Sequence, residues 1–248
     1  MSTAKAGLLA DLRSRIRRIE GIGGEDGRVL PLGPALDAAL PGGLPLGCLH
    51  ELAGEGDPGG GAATGFAAAL LGRIAERHGP AVWIGRGLDL HAPGLAAYGL
   101  GPERLIVVRA VRGADILWAM EEVLRCRGIG AVLGEVPGLD PTAGRRLQLA
   151  AEAGGATGFV LRRDLPDRKA GATSAATRWT LAPAPSLPSP GEPGMGRPRW
   201  RARLLRCRGG RPGEWTMEWH PDGLRAEPEI PLSRATGEGG ARRVAVGG

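Results

Sequence analysis

Between Leu30 and about Leu181, short apolar runs take turns with helical patterns, and this alternation constrains the fold more than any other feature. The runs are "CLHEL", "AVWIG", "LIVVR", "GAVLGEV", "GFVLRR" and "TRWTLA". Helical spacing follows Thr64, lies near Gly94 to Tyr98, and recurs from Ala114 to Arg127 and from Pro141 to Ala153. Strand and helix alternating at this pitch require right-handed crossovers, which means a mostly parallel sheet with helices on both faces. The strands are apolar throughout, as strands buried on two sides must be. The fold class is therefore α/β.

Beyond these units the pattern changes. Residues 183–198 are dense in proline, which cannot donate to a ladder, so they form a loop inside the core. Trp200, Ala202 and Leu204, then Trp215, Met217 and Trp219, alternate on either side of a Gly/Pro turn. That spacing predicts a β-hairpin with one apolar face, extending the sheet in antiparallel fashion. From residue 221 to 248 apolar residues are few and aperiodic, and no structure is expected. At the other end, Leu9, Leu12, Ile16 and Ile19 lie on one face of an amphipathic helix whose other faces carry arginines. A glycine-rich break follows. The organisation is thus an N-terminal helix and break over 1–26, a core over 27–220 and a tail over 221–248. The helix either packs on its own core or docks on a neighbour, including a second copy.

The first strand runs into glycines and then a helix in "HELAGEGDPGGGAATGFAAALLGRI", the layout of a phosphate cradle. A working cradle has the pattern G-x-x-x-x-G-K-[ST], in which backbone N–H groups surround the phosphates and the lysine neutralises the β/γ oxygens. Starting from Gly54 the frame reaches Gly59, with Gly60 where the lysine belongs and Gly61 where the hydroxyl belongs; starting from Gly56 it reaches Gly61, then Ala62 and Ala63. Neither frame works. Thr64 opens the helix, and the next cation, Arg73, lies more than two turns further on. Glu55 and Asp57 would each repel a triphosphate by on the order of 4 kcal/mol at about 4 Å. The loop keeps the shape of a nucleotide site without its chemistry, and no cofactor is expected.

All cations except Lys5 and Lys169 are arginines, and the formal charge is +6, which suits an acidic partner such as DNA without specifying one. Arg162 and Arg163 close a strand at the end where open α/β sheets place ligands, and Arg168 and Lys169 follow in the next loop. The four form a candidate contact for single-stranded DNA or a solvated loop. The three cysteines lie about 80 residues apart without a CxxC, as free thiols in a reducing cytoplasm would. The four histidines have no metal-ligand spacing. No apolar run approaches the roughly 18 residues of a membrane span. A cytoplasmic protein with no membrane partner is expected.

The segment "LPLGPALDAALPGGLPLGCLHELAG" resembles the one preceding the phosphate loop of RecA-family recombinases, through Leu36, Asp37, Leu40, Gly42, Gly43, Leu44, Pro45 and Gly47. "AVWIGRGLDLHAPGLAAYGLGPERLIVVR" resembles the stretch that holds the RecA catalytic glutamate, here Gly87, and "GAVLGEV" the magnesium-side strand, with Glu135 for the usual aspartate. With the degenerate loop, the N-terminal "LRSRIRRIE" and the late "LLRCRGGRPGEW", the chain is most similar to the ImuA family. That resemblance implies a RecA-like, P-loop NTPase-type body without ATPase activity. It implies a role in the SOS response to DNA damage, as an accessory of mutagenic translesion synthesis beside an ImuB-like homologue of the Y-family polymerases and an error-prone polymerase α subunit. The rivals are a SulA-like division inhibitor that binds FtsZ and a DNA-dependent ATPase of RecA type.

Overall fold

The structure is a computed structural model that describes residues 27–55, 60–87, 90–162, 173–186, 188, 191 and 194–226. A short antiparallel ladder joins β1 (Val29–Leu30) to β2 (Leu44–Pro45), with α1 (Pro34–Asp37) between them. Then follow β3 (Leu49–Gly54), α2 (Gly61–His78), β4 (Ala81–Gly85), α3 (Ala92–Ala96), β5 (Leu105–Arg109), α4 (Gly113–Arg125), β6 (Ala131–Val136), α5 (Pro141–Gly154) and β7 (Thr157–Arg162). Strands β8 (Thr177–Pro183), β9 (Arg199–Cys207), β10 (Gly213–His220) and β11 (Gly223–Ala226) complete the described elements.

Nine strands form one sheet in the order β11-β10-β9-β8-β3-β7-β6-β4-β5. The six from β8 to β5 are parallel, and β9 to β11 are antiparallel additions. Side chains alternate across each strand, so the sheet feeds two cores. On one side Leu52, Trp83, Leu133 and Phe159 meet α2. On the other Val82, Val132 and Val160 meet Ile116, Met120 and Leu124 of α4 and Leu147 and Ala150 of α5. This is the α/β sandwich that the alternation predicts.

Helix α2 is rich in alanine, and Ala63, Ala67, Ala68 and Ala69 are fully buried, which brings its axis close to the sheet. Gly72 lets the chain after α3 cross directly over it, because a Cβ at that position would lie 2.3 Å from the Tyr98 carbonyl oxygen. The hairpin also follows the pattern: Trp200, Ala202, Leu204, Trp215, Met217 and Trp219 all point into the α2 core. Large side chains such as Leu204 and Met217 each contribute about 1.5–3 kcal/mol when fully buried. The boundary of the core differs from the expected one. Gly223–Ala226 pairs with β10 through a two-residue Pro221-Asp222 turn, so the residues just past 220 belong to the sheet rather than to an unstructured tail. Hydrogen bonding to β10 offsets the lack of apolar periodicity there. No helix among the described residues is long and apolar enough to cross a membrane.

Candidate functional site at the carboxyl edge of the sheet

Open parallel sheets place ligands beyond the carboxyl ends of their strands, and α2 starts there, after β3. Its N-cap is Gly60, in the left-handed region at φ 63, with no side-chain cap on the first turn. The Thr64 N–H donates to the Gly60 carbonyl at 2.9 Å, and a Cβ on Gly54 would sit 3.2 Å from the Gly60 Cα, so the chain doubles back tightly on β3. A partial positive charge remains at this helix end. Gly60 and Gly61 stand in the lysine and hydroxyl positions, and Gly59 lies outside the described residues. Arg73 is twelve residues past Gly61, roughly 18 Å along the helix.

The carboxylates at this edge are engaged from within the protein. Glu55 accepts from Arg203 Nη1 at 3.2 Å and lies 3.8 Å from Arg201 Nη2, while Glu214 accepts from Arg203 Nε at 2.9 Å. Glu135, on the strand that resembles the magnesium side of the RecA site, accepts a hydrogen bond from the Trp83 indole at 2.7 Å. Its carboxylate leans across β4, where a Cβ on Gly85 would meet it at 3.1 Å. Gly87, in the position of the catalytic glutamate, is exposed just past β4.

Deeper in the sheet, Glu51 is 3% exposed and accepts from Arg178 Nε on β8 at 2.9 Å. Arg162, at the end of β7, is 3.7 Å from the same carboxylate, and the Thr173 hydroxyl donates to it as well. The register explains the cluster: Glu51 lies directly opposite Arg178, with Arg162 one pleat further along β7. The Arg162 side chain is only 16% exposed, so it faces this carboxylate. Its buried Nε has no hydrogen-bond partner. The other candidate DNA contacts, Arg163, Arg168 and Lys169, lie outside the described residues, as do Leu9, Leu12, Ile16 and Ile19.

His50, fully buried on the opposite face of β3, completes a polar chain. Trp179 Nε1–H donates to Thr177 Oγ1 at 2.9 Å, Thr177 Oγ1 lies 2.7 Å from His50 Nδ1, and His50 Nε2 lies 2.9 Å from the Pro45 carbonyl. The arrangement assigns the proton to Nε2: Nε2–H donates to Pro45, and Nδ1 accepts from the hydroxyl. Burial lowers the His50 pKa to about 4, against a weaker opposing effect of the Pro45 bond, so the ring is neutral. Sequence reasoning overlooked His50, Glu51 and Trp83. The available signal was two adjacent polar residues inside a strand otherwise apolar on both faces.

Among the described residues no group of three His, Cys, Asp or Glu is placed to hold a metal ion. The edge has a helix N-terminus that binds anions weakly, and among the described residues of the loop Gly60 stands where a phosphate loop carries its lysine.

Comparison with known proteins agrees with this geometry. No protein-family profile matches the chain. Among solved structures, the KaiC-like protein PH0186 of Pyrococcus horikoshii OT3 superposes with a TM-score of 0.54 at 18% identity, covering 81% of this chain and 99% of that one, a likeness of fold. The cell division inhibitor SulA of Yersinia pestis (strain Pestoides F) is 32% identical over 108 residues, 44% of this chain and 64% of SulA. Protein ImuA of Caulobacter vibrioides (strain NA1000 / CB15N) is 43% identical over 206 residues, covering 79% of this chain and 84% of the relative. A RecA-like sheet, a phosphate loop without its lysine and an identity of that extent together place this chain in the ImuA family.

Proposed function

We propose that this protein is a non-catalytic, RecA-like adaptor of a damage-induced, error-prone translesion synthesis complex. It works in the cytoplasm with an ImuB-like homologue of the Y-family polymerases and an error-prone polymerase α subunit. The observation that carries the non-catalytic part is the state of the carboxyl edge. Glycine or alanine (Gly60 or Ala62) stands at the lysine position of the loop, and Gly87 stands at the position of the catalytic glutamate. Phosphoryl transfer depends on electrostatic stabilisation of the γ-phosphate, and both of its usual contributors are missing.

The test has two arms. Purified protein with ATP and single-stranded DNA should give no turnover above buffer; DNA-stimulated hydrolysis abolished by Gly60→Asp would end the pseudo-enzyme reading in favour of the RecA-type ATPase. Co-expression with the ImuB-like protein and the α subunit should yield a complex that survives gel filtration. The partial likeness to SulA favours FtsZ as the alternative partner, and capture of FtsZ without the ImuB-like protein would replace the adaptor with a division inhibitor.

A further inference from the structure

The second half of α2 carries a half-buried cation, Arg73. Its guanidinium lies against the β10–β11 turn, where a Cβ on Gly223 would be 3.5 Å from Cζ. Among the described residues it has no hydrogen-bond or ion-pair partner. Glu76 and Asp37 act on it only through space; burial first, and then the charge of Arg77, hold its pKa below that of an ordinary arginine. Asp222, the nearest acid on the turn, is 3.0 Å from Arg225 and engaged there.

The guanidinium opens onto a cavity of about 260 Å³ between α2, the chain after α3 and the end of β10, which Glu76 also lines. Its other side borders a hollow of about 80 Å³ that reaches Leu30 and Gly223. Trp219 and Tyr98 make an aromatic wall, with ring centroids 5.7 Å apart, and the Trp219 indole is committed to the Ala97 carbonyl at 2.9 Å. Arg104 adds a second cation at the rim, 3.8 Å from Glu103. The cleft lies just below the roughly 300–1,000 Å³ typical of small-molecule sites, a size that suits one or two side chains. A partly desolvated guanidinium presents two parallel N–H bonds that match a carboxylate. Strand β11 runs from Gly223 at the cleft to Ala226 opposite Met217, so the strand itself leads away from Arg73 and does not fill the cleft.

We propose that the Arg73 cleft is a docking socket for an acidic side chain of a partner polypeptide, its carboxylate paired with Arg73 and a neighbouring apolar residue resting on Tyr98 and Trp219. The inference goes beyond the adaptor reading and does not depend on the partners named there.

The experiment pans the full chain against random peptides displayed on phage, with Arg73→Gln protein as the parallel target. Peptides enriched on the unaltered chain alone should carry Asp or Glu beside an apolar residue. Synthetic copies should bind it about tenfold or more tightly than they bind the Arg73→Gln variant, and amidating the peptide's acidic residue should cost a similar factor. The Arg73→Lys variant keeps the charge and loses the fork, so it should bind less tightly than the unaltered chain by about threefold, and it serves if Arg73→Gln fails to fold. Equal enrichment on both targets, enrichment of peptides without acidic residues, no enrichment, or full affinity in Arg73→Lys would each overturn the socket. Assembly with the ImuB-like protein is a separate measurement, and its absence would sink the adaptor reading while leaving the dependence on Arg73 unchanged.

Discussion

The two ends of α2 differ in how their charges are met. At the N-terminal end, where a RecA-like site would hold phosphates, every carboxylate described above has a donor supplied by a neighbouring strand: Arg178 and Arg162 for Glu51, Arg203 for Glu55, Trp83 for Glu135. Five residues from the C-terminal end, Arg73 faces a cavity it shares with Glu76 and, among the described residues, pairs with no acceptor. A charged group answered from inside holds the structure together and attracts nothing from solution. One left unanswered adds no stability and is available to a partner. The comparison sets charge met within the fold at the N-terminal end of α2 against charge left unmet near the C-terminal end of the same helix.

Substitution can break this contrast in graded steps. The largest effect is expected for Glu51→Gln, which leaves Arg178 and Arg162 without a counter-charge inside the sheet. Removing one member of a buried ion cluster costs about 3–5 kcal/mol, measurable as a lower urea midpoint, and a loss below about 1 kcal/mol would mean that the cluster is not structural.

Next comes acid. His50 has a folded pKa of about 4, below its unfolded value of 6.5. The unfolded chain therefore takes up a proton that the folded chain refuses, and stability is full above about pH 6.5 and declines as pH falls toward 4. The loss over that interval is about 3 kcal/mol, and the slope of stability against pH should flatten in His50→Gln. An unchanged slope in the variant would assign the acid sensitivity to other groups.

The smallest effect sharpens the other side of the contrast. Because Arg73 has no partner to lose, Arg73→Gln should leave unfolding within about 0.5 kcal/mol of the unaltered protein or stabilise it slightly. A loss above about 2 kcal/mol would place Arg73 in the structural class with Glu51.

Much of the fold was legible because it is written in local periods. The parallel strands stand out as apolar runs, and the hairpin as a strict alternation of Trp200, Ala202, Leu204 and Trp215, Met217, Trp219. Strand β11 escaped notice because "GLRA" has no alternation, although the Pro-Asp-Gly before it is a turn signal. The site was less legible, for a physical reason. The missing lysine is a local fact, readable at Gly60. The pairing of Glu51 with Arg178 spans 127 residues and depends on strand register, which no local pattern carries. Arg162 looked like a ligand position because it ends a strand, yet the same location brings it within reach of Glu51. Arg73 stood out only as a cation too far from the loop, since a lack of partners is a property of the folded surroundings.

The aromatic residues form a continuous train. Trp215 lies 6.2 Å from Trp179, which lies 6.0 Å from Phe66; Phe66 is 5.9 Å from Trp200, Trp200 is 6.0 Å from Tyr98, and Tyr98 is 5.7 Å from Trp219 at the Arg73 cleft. Rings at these separations couple through their transition dipoles, so the near-ultraviolet circular dichroism belongs to the set. The protein thus carries a built-in optical reporter that reaches from the middle of its sheet to the wall of the cleft. An occupant that shifts the Trp219 ring alters the emission and the dichroic signal of the whole array, without an attached label.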